Sequence, residues 1–204
     1  MRKDIWGQEP KKQNGTPTQL PVTPPTPIIE VVDNRIYFYS AIESSQILKL
    51  NKELRILSNS ILSSSQLRGD SHLPPIYLHV HSFGGYLFDG LAALDEIRNS
   101  KVPITTIVDG CCASAATFLT IVGKHRLINQ NSFMLIHQLS SCFWGKYEEF
   151  RDEMKNYDRL MKTIRNIYGQ YTKIPQDKLN EILKHDLWLD AKTCVKYGLV
   201  DEVL

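Results

Sequence analysis

Residues 110–119 read GCCASAATFL and set the hydroxyl of Ser114 among small side chains where an apolar run passes into a helix. A serine becomes a nucleophile when an imidazole takes its proton, an acid orients that imidazole, and N–H donors receive the oxyanion. The start of a helix supplies such donors, because its first N–H groups point outward with the positive end of the dipole behind them. It equally welcomes a serine as a plain N-cap, and the stretch alone favours neither reading.

Candidates for the other roles lie further along. His137 closes SFMLIHQ at the end of an apolar strand, where a side chain reaches a cleft at a sheet edge. His79 and His81 are rival bases, and as alternate residues of one strand they share a face. Among the acids, Asp190 suits a helix N-cap and Asp201 a surface charge late in a strand. Asp186, just before an apolar LWL run read as a strand, therefore leads. Gly84-Gly85 in HSFGGY can bring backbone N–H groups close to an anion, although such a pair also makes an ordinary turn. No G-x-S-x-G elbow surrounds Ser114, which argues against an α/β-hydrolase.

The elements that must position these residues follow from periodicity. IIEVVDNRIYFYSAI reads as a strand pair about Asp33-Asn34, and SSQILKLNKELRILSNSIL as a helix. Next come a strand in PPIYLHVHS, a glycine turn and amphipathic helix in GGYLFDGLAALDEIRNS, a strand in VPITTIVDG and an apolar helix in ASAATFLTIVG. HRLINQNSFMLIHQ gives two short strands. A long helix from about Lys146 to Tyr168 follows, then a break at Pro175, a shorter helix, and a last helix between two short strands, capped by Asp190 and Gly198. Repeated βαβ units imply an α/β fold with a mainly parallel sheet. In the long helix Tyr147, Phe150, Met154, Tyr157, Met161, Ile164 and Tyr168 form a heptad stripe that Leu160 and Ile167 widen.

The 204 residues suit one domain, 28–204, behind a proline-rich arm, 1–27, whose composition predicts mobility. Lys and Arg total 24 against 22 Asp and Glu, scattered along the chain, so the footprint of nucleic-acid binding is missing. Four cysteines without a CxxC pair or zinc-ligand spacing point to a reducing compartment and to no bound metal. No signal-peptide apolar region and no membrane-length apolar run stand in the sequence, which predicts a cytoplasmic protein or one of an equivalent organelle space.

The succession HSFGG, DGCCASAATF, FMLIHQ and DLWLDAKTCVKYGLVDEVL resembles the proteolytic subunit of the ATP-dependent Clp protease, ClpP, over roughly residues 36–204. That resemblance implies a crotonase-like fold with a protruding handle, here about 138–180, and serine peptidase chemistry. Ser114 then matches the nucleophile, His137 the general base and Asp186 the orienting acid, while the N–H groups of Gly85 and Ala115 match the oxyanion hole. It further implies stacked heptameric rings, homomeric or mixed, enclosing a chamber for unfolded polypeptide, with ATP consumed by a partner AAA+ Clp unfoldase and no cofactor on this chain. Phe83 and Leu139 stand where the family usually has prolines. Two other functions fit the same fold: a non-catalytic ring subunit, and a crotonase-type acyl-CoA enzyme that needs the oxyanion hole but not the Ser-His-Asp set.

Overall fold

The computed structural model describes residues 28–69 and 72–204, so the proline-rich arm expected over 1–27 lies outside the described residues. Strands β1 (Ile28–Val32) and β2 (Arg35–Tyr39) pair antiparallel about the expected turn, where Asp33 takes φ +54°. Helix α1 (Ser44–Arg68), strand β3 (Ile76–Ser82), helix α2 (Leu87–Arg98) and strand β4 (Ile104–Ala113) follow. A single 3-10 turn (Ser114–Ala116) leads into α3 (Thr117–Ile121), then β5 (His125–Ile128) and β6 (Phe133–Leu135). The chain continues as α4 (Tyr147–Tyr171), α5 (Gln176–Ile182), β7 (Leu189–Asp190), α6 (Ala191–Lys196) and β8 (Glu202–Val203).

The strands form one sheet in the order β1-β2-β3-β4-β5-β8, parallel from β2 onward. A sheet covered by helices must alternate buried and less buried residues along each strand. Strand β3 does so: Ile76, Leu78, Val80 and Ser82 are buried, while Tyr77, His79 and His81 face the other side half-covered. The buried face meets Ile47, Leu50 and Leu54 of α1 and Ala93, Leu94 and Ile97 of α2 in one apolar core.

Strand β4 is the pivot. Its first half pairs with β5, and its last three residues, Cys111–Ala113, pair instead with β6. Between them the β3–β4 register slips: Val80 faces Val108, but Ser82 faces Cys112. The extra residues around Gly110 bend β4 and carry its end out to a position beside β6.

Several expected boundaries shift for physical reasons. Helix α1 runs past Ile61 to Arg68 before Gly69 caps it with φ +68°. The apolar helix expected from Ala113 starts only at Thr117, because β4 extends straight to Ala113 and a 3-10 turn absorbs the change of direction. The expected LWL strand is reduced to Leu189–Asp190, whose partners are Met134 and Phe133, and Leu187 and Trp188 are exposed. Asp190 caps α6 as expected, accepting the Thr193 N–H at 2.8 Å, and Gly198 follows that helix with φ +66°. Asp201, expected to be a plain surface charge, instead holds Arg126: it accepts from the Arg126 N–H and guanidinium, while the same guanidinium donates to the carbonyls of Tyr171 and Gly198.

The apolar stripe of α4 is unevenly covered. Ile164 and Tyr168 are buried in the core, whereas Met154, Phe150 and Tyr147 are 56%, 45% and 74% exposed. The C-terminal half of α4 belongs to the core. The N-terminal half reaches past it.

Candidate active site

Strand β4 delivers Ser114 at the end of the sheet with φ +55°, in the left-handed region that a residue with a Cβ enters at a cost. Ser114 does not act as a helix cap, since Ala113 occupies that position and the Ser114 hydroxyl is engaged elsewhere. The unusual backbone turns Oγ toward His137, whose Nε2 lies 2.8 Å away. His137 sits two residues beyond β6, and the β4–β6 pairing that places Ala113 opposite Leu135 brings the two side chains together. Its Nδ1 lies 3.1 Å from Asp186 Oδ1, in the loop between α5 and β7. A carboxylate can only accept, so Nδ1 carries the proton and Nε2 presents its lone pair to the Ser114 hydroxyl.

The two glycines earlier in the chain are fixed by crowding. A Cβ on Gly85 would lie 2.1 Å from the Ile42 carbonyl oxygen, and one on Gly84 would lie 2.6 Å from Ser114 Cβ and 3.3 Å from the Ala115 nitrogen. Only glycine lets the HSFGGY loop run this close to the 3-10 turn. Ile42 bonds to both neighbours of Gly85, donating to Gly84 O at 2.9 Å and accepting from Tyr86 N at 2.8 Å. In a parallel bridge of this kind the middle residue's own N–H points the opposite way. Gly85 and Ala115 both line the cavity at Ser114.

Beneath Ser114 lies a polar support that the sequence did not disclose. Thr117 Oγ1 donates to the Ser114 carbonyl at 2.7 Å and lies 2.7 Å from the Tyr168 hydroxyl, which must therefore be the donor in that second bond. Complete burial pushes the Tyr168 phenol far above its ordinary range, so it stays a donor. The root of α4 is thereby tied to the turn that carries Ser114. An isolated tyrosine in a heptad stripe gives no sign of this.

The cavity, about 320 Å³, extends from Ser114 and His137 along α4, with residues 138–141 as its other wall. Leu139 N–H meets Met161 Sδ at 3.2 Å, and the Tyr157 hydroxyl donates to Ser141 Oγ at 2.7 Å. The rival histidines are elsewhere. His79 pairs with Asp109 at 2.9 Å, and His81 Nδ1 lies 2.8 Å from the Asp109 carbonyl, both on the outer face of the sheet. Among the described residues no three His, Cys, Asp or Glu side chains converge to hold a metal ion, and no helix is long and apolar enough to cross a membrane.

With this geometry in hand, comparison with known proteins defines the class. The family model described as Clp protease matches residues 33–204, and the chain belongs to that family. It is 32% identical over 152 residues to an ATP-dependent Clp protease proteolytic subunit of Deinococcus radiodurans, a match covering 72% of this chain and 74% of that one. It is also 32% identical over 159 residues to an ATP-dependent Clp protease proteolytic subunit 2 of Treponema denticola, covering 76% and 78%. Among solved structures, a ClpP1 mutant from Listeria monocytogenes superposes with a TM-score of 0.72 at 21% identity, over 84% of this chain and 91% of that one. The α/β architecture is thus the ClpP-type fold.

Proposed function

We propose that the chain is a serine endopeptidase subunit acting through an acyl-enzyme on Ser114. The observation that carries this reading is the continuous contact from Ser114 Oγ through His137 to Asp186, at 2.8 and 3.1 Å. His137 Nε2 takes the hydroxyl proton as Oγ attacks a peptide carbonyl, and Asp186 stabilises the imidazolium that forms. The N–H groups of Gly85 and Ala115 receive the developing oxyanion. His137 then gives its proton to the leaving amine, and a water activated by the same imidazole releases the acyl group. A side chain filling each of the three positions supports catalysis over a purely scaffolding role, and an acyl-CoA enzyme would have no use for the chain of contacts behind Ser114. The reaction needs no cofactor on this chain.

Family membership extends the proposal to a ring-shaped chamber for unfolded polypeptide, served by an ATP-driven Clp unfoldase, in the cytoplasm or an organelle equivalent. The exposed half of the α4 stripe supports it, because burying even one large apolar side chain is worth about 1.5–3 kcal/mol and a symmetric ring repeats the gain. A fluorophosphonate probe followed by peptide mapping should label Ser114 alone, on particles that hydrolyse a fluorogenic peptide. Absence of labelling in active particles would end the Ser114 reading. Met154→Glu should give smaller, still helical particles by ultracentrifugation and circular dichroism; unchanged mass would end the handle reading.

A further inference from the structure

Of the acids on the N-terminal half of α4, most are partnered on the helix itself. Glu148 pairs with Arg151, Glu149 accepts the Lys146 N–H at 2.8 Å, and Asp152 pairs with Lys155. Glu153 differs. It is half-buried, it lines the cavity that contains Ser114, and its one hydrogen bond among the described residues comes from Asn156 Nδ2 at a long 3.4 Å. No basic side chain stands three or four positions away on either side, since those places hold Glu149, Phe150, Asn156 and Tyr157. Apart from His137 it is the one ionisable acid or base in a lining otherwise made of apolar, amide, hydroxyl and phenol groups. An unpaired carboxylate held in a partly dry groove attracts a cation more strongly than one on an open surface.

The helix measures where that cation must be. Residues 137–141 leave Ser114 and track α4 toward its N-terminus, with Leu139 level with Met161 and Ser141 level with Tyr157. Glu153 lies one further turn along. Eleven residues of helix separate it from Ile164, or about 16 Å, which an extended peptide crosses in about five residues. A lysine or arginine stem reaches back over one or two of these.

We propose that Glu153 is a specificity-determining residue that selects a lysine or arginine three to five residues from the scissile bond, on one side of it. The inference rests on the proposed peptidase reading of Ser114 and deepens it. The apolar floor near Ser114, formed by Phe118, Ile164 and Leu160, receives an uncharged side chain, and Glu153 reads the charge beyond it.

The test is a set of fluorogenic peptides with one fixed cleavage bond, carrying Lys, Gln or Glu at each position up to six residues on either side. The assembled wild-type protein should cleave the best Lys peptide with a kcat/KM about five- to tenfold above its Gln counterpart, at adjacent positions on one side only. Glu153→Gln should abolish that ratio, and Glu153→Lys should invert it in favour of Glu. Asp158→Lys, which alters an exposed charge on the same helix, should leave the ratio as in the wild type. A flat profile, equal preferences on both sides, or a preference surviving Glu153→Lys overturns the proposal. Binding of the same peptides to the Ser114→Ala protein, read by fluorescence anisotropy, separates the two readings. If no peptide is cleaved but Lys peptides still bind more tightly in a Glu153-dependent way, the peptidase reading fails and Glu153 stands; cleavage without charge preference has the opposite meaning.

Discussion

Among the described residues two His–Asp pairs occur, and the better-made one is not at the candidate active site. His79 and Asp109 lie 2.9 Å apart with both side chains 13% exposed, against 3.1 Å, 22% and 76% for His137 and Asp186. Asp109 is also the better satisfied, accepting from Tyr39 at 2.9 Å and from Asn129 at 2.6 Å. Burial first, and then Asp109 itself, push the Tyr39 phenol up to about 12, so it remains a donor to the carboxylate. Both imidazoles hold the same tautomer, protonated at Nδ1 by virtue of the carboxylate. The difference is at Nε2. For His79 that nitrogen faces Arg35 Nη1 at 3.0 Å, a group that can only donate, so its lone pair is already used. For His137 it faces a hydroxyl. A His–Asp pair is a latent base only when its far nitrogen meets a proton that can leave.

That contrast can be broken most decisively at the hydroxyl. Ser114→Ala should lower peptide turnover by about 10⁴-fold or more with assembly intact, because residues of such a unit fail together. Wild-type-like turnover would remove the distinction between the two pairs. Changing the acid comes next: Asp186→Asn should cost about 10³- to 10⁴-fold by disturbing the tautomer, whereas Asp190→Asn should cost little, since asparagine also caps well. The reverse order would show that the exposed Asp186 is not the orienting group. His79→Gln sharpens the comparison from the other side. Turnover should stay within a few-fold of wild type while urea unfolding shows a loss of about 1–3 kcal/mol, the cost of an orphaned buried partner. A collapse of activity without a loss of stability would give His79 a role in the chemistry.

The smallest effect belongs to a third ionic contact, remote from both. Partial burial alone would raise the Asp201 carboxyl, but hydrogen bonds from the Arg126 side chain and N–H outweigh it and hold it below the ordinary carboxylate range. A carboxyl lowered by folding stabilises the protein above its unfolded value, about 3.9, and that contribution fades as pH falls through the folded value. Denaturant midpoints measured from pH 6 to pH 2 should therefore fall less steeply for Asp201→Asn than for the wild type. Parallel curves would show that the contact is not linked to protons.

How much of this was legible in the sequence depends on how local the cause is. Ser114 and His137 could be proposed because each stands at the end of an element whose periodicity is plain, and strand ends in α/β folds converge on one edge; Asp186 was proposed from the LWL run after it, and the three roles came with the family resemblance. The role of His79 was not legible. It requires the β2–β3–β4 register that sets Tyr37 beside His79, together with the bend in β4 near Gly110 that offers Asp109 to it. Alternation alone could say that His79 and His81 share a face, as they do. Thr117 and Tyr168 were hidden for the same reason, since their bond joins residues 51 positions apart. The LWL run misled because apolar residues next to an acid imitate a strand, whereas only Leu189 and Asp190 find a partner in β6. Glu153 carries no signal in the sequence, because its place in the groove depends on residues 138–141 forming the opposite wall.

The left-handed backbone of Ser114 carries a cost of its own. A residue with a Cβ at φ +55° gives up about 1–2 kcal/mol relative to an ordinary conformation, and glycine would recover much of it. The subunit thus surrenders some of its own durability at the one residue where a hydroxyl must be aimed. Ser114→Ala keeps that burden and removes the oxygen, which makes it the clean comparison for the chemistry. Ser114→Gly removes both the oxygen and the strained side chain, so its urea midpoint should lie at or above that of Ser114→Ala, and a clearly lower one would show that the left-handed turn costs this fold nothing.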